Sequence, residues 1–334
     1  MNFKYEIVDN IDHDDSDHVY VTDIFESDCK SEISLCTLSA INWGKIKKTS
    51  DFEKPCTLAV RALDALLDYQ SYPVLAAQLS TMNRRPLGIG IINLAYWMAK
   101  NDMTYTNPNL DLIDQYTEAW SYYLIKASID LAKEKGACDK WYETKYGHGQ
   151  FPIDTYKKEV DELTSRPVSM DWNLLREEAD LYGIRNSTLM ALMPAETSAQ
   201  VSNSTNGIEP PRALVSIKSS REGVLKQVVP EVRKLKNKYE LLWDQSSPEG
   251  YLKIMAVLQK WIDQSISTNT SYNPKFYPDE KIPLSEMLKH ILMAYKYGIK
   301  TLYYNNTNDG AGEMRVEELA KGDTDEENCD SCTI

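Results

Sequence analysis

The sequence predicts an α/β fold in which the strands pair mostly in parallel. Three observations point there. Residues 33–39 show the two-residue period of a strand, and short apolar runs of strand length occur at 188–192, 213–217 and 299–303. Longer segments between them carry apolar residues every three or four positions, as amphipathic helices do. Strands alternating with helices in this way build a layered α/β domain. At 334 residues, with 42% hydrophobic and 26% charged content, the chain can bury a substantial core.

The first 32 residues stand apart, with ten acidic side chains against two lysines and no apolar periodicity. Residues 1–31 are read as a mobile or partner-wrapped acidic extension. His13 and His18 flank acidic residues there, but no further ligand spacing supports a metal, and a solvated acidic segment is the simpler meaning. Folded structure is expected from residue 32 to 308. It opens with a strand that puts Ile33, Leu35 and Thr37 on one face and Ser34, Cys36 and Leu38 on the other. A helix follows over 59–67, closed by a loop with Pro73. After Pro86 a second helix is expected to carry Ile91, Leu94, Ala95 and Met98, with Gly88 and Gly90 serving close helix packing. A third runs from about 114 to 134, with Trp120, Tyr123, Leu124, Ala127 and Leu131 inward.

Residues 172–182 read as a helix stopped by Gly183 at its C-terminal cap. Residues 188–192 and 213–217 read as strands, 231–243, 249–262 and 283–297 as helices, and 299–303 as a last strand. The segment 309–334 is acidic, poor in large apolar residues, and reads as a flexible tail ending in Cys-Asp-Ser-Cys-Thr-Ile.

Composition narrows the function. A net charge of −13 without segregated basic residues disfavours nucleic acid. The start of the chain lacks the apolar core of a signal peptide, and the longest nearly apolar stretch, 87–99, is too short to span a bilayer, so a cytoplasmic protein with no membrane partner is expected. Six scattered cysteines do not make a disulfide framework.

Four stretches could carry chemistry. Pro194, Ala195, Glu196, Thr197 and Ser198 follow a strand and open a short helix, where free N–H groups and two hydroxyls suit a phosphate; the competing reading is an ordinary cap bonding its own backbone. Tyr303 and Tyr304 could exchange an electron and a proton if their rings met. Adjacent strand residues point to opposite faces, so contact would demand an irregular backbone. Cys329 and Cys332 have the spacing of a dithiol or half a zinc site. No further ligands lie nearby, and the acidic surroundings disfavour a low-pKa thiolate, so a mobile redox pair serving another site fits better. Cys36 could line a pocket or be a small core residue, and Cys29, Cys56 and Cys138 are read as core thiols.

From about Glu32 to the end, the order and wording of these segments resemble the C-terminal part of the large subunit of class I ribonucleotide reductases. The words that carry the resemblance include Ser34-Leu35-Cys36-Thr37-Leu38-Ser39-Ala40, Arg61-Ala62-Leu63-Asp64-Ala65-Leu66-Leu67-Asp68-Tyr69, Met193-Pro194-Ala195-Glu196-Thr197-Ser198, Asn206-Gly207-Ile208-Glu209-Pro210-Pro211-Arg212 and Lys300-Thr301-Leu302-Tyr303-Tyr304. The resemblance implies the second half of a ten-stranded α/β barrel with surrounding helices and a flexible C-terminal tail. It also implies a reaction, removal of the 2′-hydroxyl of a ribonucleoside diphosphate, begun by a cysteine thiyl radical.

By the same resemblance, Cys36 corresponds to one of two reducing cysteines, and Tyr303 and Tyr304 to stacked tyrosines that pass the radical. Cys329 and Cys332 correspond to a tail dithiol reduced by thioredoxin or glutaredoxin, and Glu196, Thr197 and Ser198 hold the substrate diphosphate. No cofactor is expected on this chain; a diiron-tyrosyl radical is expected in a separate small subunit. The family's Asn-Leu-Cys-x-Glu stretch with the radical cysteine has no counterpart here, nor does the partner of Cys36. A naturally divided large subunit is therefore expected, completed by a separate N-terminal chain. The alternatives are a catalytically inactive scaffold that keeps the fold, and a stand-alone dithiol oxidoreductase.

Overall fold

The computed structural model describes residues 32–220 and 223–308. The acidic extension, the tail, and with them Cys29, Cys329, Cys332, His13 and His18 lie outside the described residues. Strand β1 (Thr37–Asn42) is followed by helices α1 (Glu53–Tyr69) and α2 (Leu75–Arg84), then β2 (Leu87–Ile92) and α3 (Leu94–Lys100). The long helix α4 (Leu110–Lys135) leads through the short α5 (Pro152–Thr155) to α6 (Trp172–Tyr182) and α7 (Glu196–Val201). Strands β3 (Val215–Ser220) and β4 (Gly223–Val228), the one-turn α8 (Val232–Leu235), α9 (Glu249–Gln259), β5 (Thr268–Tyr272), α10 (Leu284–Lys296) and β6 (Leu302–Thr307) complete the order.

The strands form an open parallel array. β1 pairs with β2 from Thr37↔Leu87 to Asn42↔Ile92, and β5 pairs with β6. Segment 188–192 joins the two pairs through isolated parallel bridges, Ile89↔Met190 on one side and Leu192↔Ile266 on the other. The order is thus β1, β2, segment 188–192, β5, β6. Among the described residues no barrel closes, and β1 and β6 each pair on one side only. The mixed helix and strand content of the sequence reading is present, with the parallel strands in this open array.

Helices cover one face of the array. Leu87, Ile89 and Ile91 of β2 are fully or almost fully buried in the main core, with Ile41 of β1 and Val60, Leu63 and Leu67 of α1. α9 buries Leu252, Ile254, Met255, Val257 and Leu258 completely, as a helix apolar on nearly all sides must. The indole of Trp261 stacks on Trp172 at 5.6 Å and donates to Asp114 at 2.7 Å. On α4 the buried Glu118 carboxylate accepts from the backbone N–H groups of Ser169 and Met170, the Trp172 indole and Arg166, which holds segment 166–172 against the helix. The α6 helix ends at Gly183 (φ 71°), as the sequence indicates.

Several elements differ from the sequence reading. Residues 87–92 are a buried strand, not the start of a helix, because a parallel strand buried on both faces is apolar throughout and shows no period. The first strand starts at Thr37, one residue after Cys36. Residues 213–217 enter an antiparallel hairpin, β3 with β4, instead of the parallel array. The helix expected over 231–243 is broken into α8 and a 3₁₀ turn at Leu242–Asp244. α2 and β5 were not anticipated. No described helix is long and apolar enough to cross a membrane.

Candidate active site

Two glycines shape the second face of the array. Gly88 and Gly90 share one side of β2, opposite Leu38 and Ala40 in register. A Cβ at Gly88 would overlap the Cys36 sulfur and come within 2.7 Å of Leu38 Cδ2; one at Gly90 would lie 2.7 Å from Met193 Sδ. The glycines therefore serve strand packing beneath a thiol and a thioether, not helix contacts. Cys36 sits exposed just before β1, its sulfur 3.9 Å from the Gln264 side-chain oxygen. Partial desolvation pushes its pKa up, and the negative charge of Asp263 adds to the rise. Cys56 and Cys138 are buried in the core, as expected of small apolar side chains.

At the C-terminal end of the same face, Ile92 and Ala40 pack against Ala195 and Ala199. This contact seats α7 over the face on which Cys36 stands. Pro194, Glu196, Thr197 and Ser198 are exposed, and Ala195 is buried at the N-cap with no side-chain cap on the helix. The hydroxyls of Thr197 and Ser198 make no hydrogen bond among the described residues, so neither caps its own backbone. The Ala195 N–H donates to Asn206 Oδ1 at 3.1 Å, which fixes the entrance to the helix.

The two residues before Asn206 are anchored by a polar network that sequence reasoning missed. Asn93, left-handed at φ 69° between β2 and α3, accepts from Thr205 N–H at 3.0 Å and donates to Asn42 Oδ1 at 2.9 Å. Asn42 donates to Ser204 Oγ at 2.9 Å. Asparagine tolerates the left-handed region better than most residues, and its occurrence between an apolar strand and an apolar helix was the available signal.

Tyr303 and Tyr304 both lie exposed on β6, their ring centroids 4.4 Å apart at 63°. They meet edge to face instead of stacking. Contact between neighbours is possible because the strand is irregular there. Thr268 pairs with Leu302 and Thr270 with Asn305, so Asn269 alone stands opposite both tyrosines. The Tyr304 N–H donates to Asn269 Oδ1 at 3.0 Å, and Asn269 Nδ2 donates to the Glu209 carboxylate. The adjoining Tyr303 phenol raises the Tyr304 phenol above its ordinary pKa. Loop 205–209 thus touches both places: Asn206 holds the start of α7, and Glu209 holds the residue facing the tyrosines. Among the described residues no three His, Cys, Asp or Glu side chains are grouped to hold a metal.

A thiol and an uncapped helix start thus share one face of the parallel strands of an α/β domain, with a phenol pair at the array's edge. The chain matches the family model described as ribonucleotide reductase, barrel domain, over residues 21–305, and it belongs to that family. It is 56% identical over 297 residues to the ribonucleoside-diphosphate reductase subunit alpha of Haemophilus influenzae, covering 89% of this chain and 39% of that protein. The corresponding protein of Buchnera aphidicola from Schizaphis graminum is 53% identical over 310 residues, 92% of this chain and 41% of the relative. That of Enterobacteria phage T4 is 44% identical over 312 residues, 91% of this chain and 40% of the relative. The chain therefore spans about two fifths of the length of these relatives, and it corresponds to a C-terminal part of the large subunit.

Proposed function

We propose that this chain is the C-terminal component of a ribonucleoside-diphosphate reductase large subunit, which reduces ribonucleoside diphosphates by a radical mechanism to supply DNA precursors. The observation that carries the reading is the bulge at Asn269, which brings Tyr303 and Tyr304 into ring contact in a chain of this family. In a relay, the O–H bond of one phenol breaks and an O–H bond forms on the oxyl radical of the other. One electron and one proton move together, and the radical changes places.

In this reading Pro194, Ala195, Glu196, Thr197 and Ser198 hold the diphosphate, through backbone N–H groups and the two hydroxyls. Cys36 provides one of the two reducing thiols. Its raised pKa suits a group that gives up a hydrogen atom more than one that attacks as thiolate. Cys329 and Cys332 return the reducing equivalents and are themselves reduced by thioredoxin or glutaredoxin. The thiyl-radical cysteine comes from a separate N-terminal chain, and the radical from a diiron-tyrosyl small subunit.

The open array supports association with such a partner. Among the described residues β1 pairs on one side only, and α1 exposes an apolar stripe of Leu58, Ala62, Ala65, Leu66 and Tyr69. Mixing this chain with an N-terminal large-subunit chain and a small subunit is expected to give nucleoside diphosphate reduction that the chain alone lacks. Tyr303→Phe is expected to abolish it while diphosphate binding persists. Unchanged turnover in Tyr303→Phe would leave only a scaffold role.

A further inference from the structure

We propose that Asn269, oriented by Glu209, is a positioning residue that sets the geometry of the Tyr303–Tyr304 pair; the inference rests on reading that pair as a relay. In a regular strand the two side chains would leave on opposite faces. Here one residue of β5 faces two of β6, which brings the rings to the same side and leaves one backbone N–H without its ladder partner. That N–H belongs to Tyr304, and the Asn269 side-chain oxygen takes it at 3.0 Å.

The orientation of the amide is decided one step further away. A carboxylate can only accept, so Glu209 draws the Nδ2 end of Asn269 toward itself and turns Oδ1 to Tyr304. Packing does not do this work. Tyr303 is 58% and Tyr304 59% exposed, so few neighbours restrain the rings and their separation follows from the backbone beneath them. Asn206, three residues before Glu209, holds the Ala195 N–H, so the clip is built on the same loop as the entrance to α7.

The test uses fluorotyrosine at position 303 in the full chain, read by fluorine NMR, beside turnover of the complex with the N-terminal chain and the small subunit. Asn269→Ala is expected to collapse the ring-current shift that Tyr304 imposes at 4.4 Å, and to lower turnover about tenfold or more with half-saturation by the diphosphate unchanged. Asn269→Asp sets two acceptors face to face and is expected to do the same. The double variant Asn269→Asp with Glu209→Gln reverses donor and acceptor while keeping an oxygen for Tyr304, and it is expected to restore both signals.

An unchanged ring-current shift in Asn269→Ala, or a double variant no better than Asn269→Asp alone, would overturn the proposal. The second comparison decides the matter even if Asn269→Ala fails to fold. A shift that behaves as expected in a complex without turnover would instead refute the relay and uphold the clip.

Discussion

Replacing Gly88 by alanine should separate the stability of the array from the placement of its thiol. The new methyl meets the Cys36 sulfur, Leu38 Cδ2 at 2.7 Å and Ala191 Cβ at 3.6 Å. Ala191 is at ordinary contact distance and costs nothing. Leu38 is 51% exposed and can swing into solvent. The sulfur has the least freedom, because Cys36 has one side-chain torsion and its neighbour across the face is the fixed Gln264. The backbone at Gly88 has no positive φ, so alanine adds no conformational strain. The stability cost should therefore fall at the low end of overpacking, about 1 kcal/mol. A thiol displaced by roughly 1 Å should lower turnover by about a hundredfold in the reconstituted enzyme. Urea unfolding measures the first quantity. The second is paired with the alkylation rate of the Cys36 peptide, followed by mass spectrometry against the buried Cys56 and Cys138 peptides. A Gly88→Ala protein with wild-type turnover and unaltered Cys36 alkylation would refute the argument that this glycine exists to seat the sulfur.

Further outcomes follow from the same geometry. Burial pushes the Glu118 carboxyl up, but bonds from Met170, Ser169, Trp172 and Arg166 outweigh it and the net pKa lies below the usual 4.5. Its contribution is thus fully present above the unfolded-state value and is lost as pH falls from about 4.5 through the lower folded value. Glu118→Gln should cost about 2–3 kcal/mol at neutral pH, because Arg166 keeps Asp114 as partner at 2.6 Å, and should flatten the acid limb of a urea-midpoint profile. Thr197→Ala with Ser198→Ala should weaken diphosphate binding about tenfold or more, as two lost hydroxyl bonds would, without moving the urea midpoint, since neither hydroxyl bonds within the described residues. Leu66→Glu on the outer stripe of α1 should leave the isolated chain folded but weaken association with the proposed N-terminal chain in sedimentation, because Leu66 is 42% exposed here.

How far the sequence carries can be seen at particular residues. α6 was legible with its cap because three signals coincide there: Asp171 accepts from Leu174 N–H at the start, the apolar period runs between, and Gly183 stops it. α4 was legible because twenty-six residues give the helical period room to show. β2 was not, since Gly-Ile-Gly-Ile-Ile runs straight into the apolar helix α3 and only Asn93 marks the join. β5 was hidden for the opposite reason. Thr-Asn-Thr-Ser-Tyr reads as a loop, yet its residues alternate buried and half-buried because Thr268 and Thr270 point inward and bond within the sheet. The site shows the same division. Residue types bearing a thiol, hydroxyls or phenols announced themselves, while the asparagines that aim them did not, because their work is done against backbone far away in the chain.

This division has a physical consequence for where the chemistry can tolerate change. Asn42, Asn93 and Asn206 act at three strand or loop ends: Asn93 and Asn206 accept backbone N–H groups that the array cannot pair internally, and Asn42 ties Asn93 to Ser204. Removing one leaves buried donors or acceptors unmet, at about 1–3 kcal/mol each, whereas removing an exposed phenol such as Tyr303 leaves nothing unmet. The groups proposed to react are therefore nearly neutral for folding, and the groups that position them carry the stability. A chain of this kind would lose activity without unfolding when its phenols or hydroxyls change, and would lose both when its asparagines do. The exposed edges of β1 and β6 extend the same logic outward: backbone that no described residue pairs is backbone that a neighbouring chain can complete.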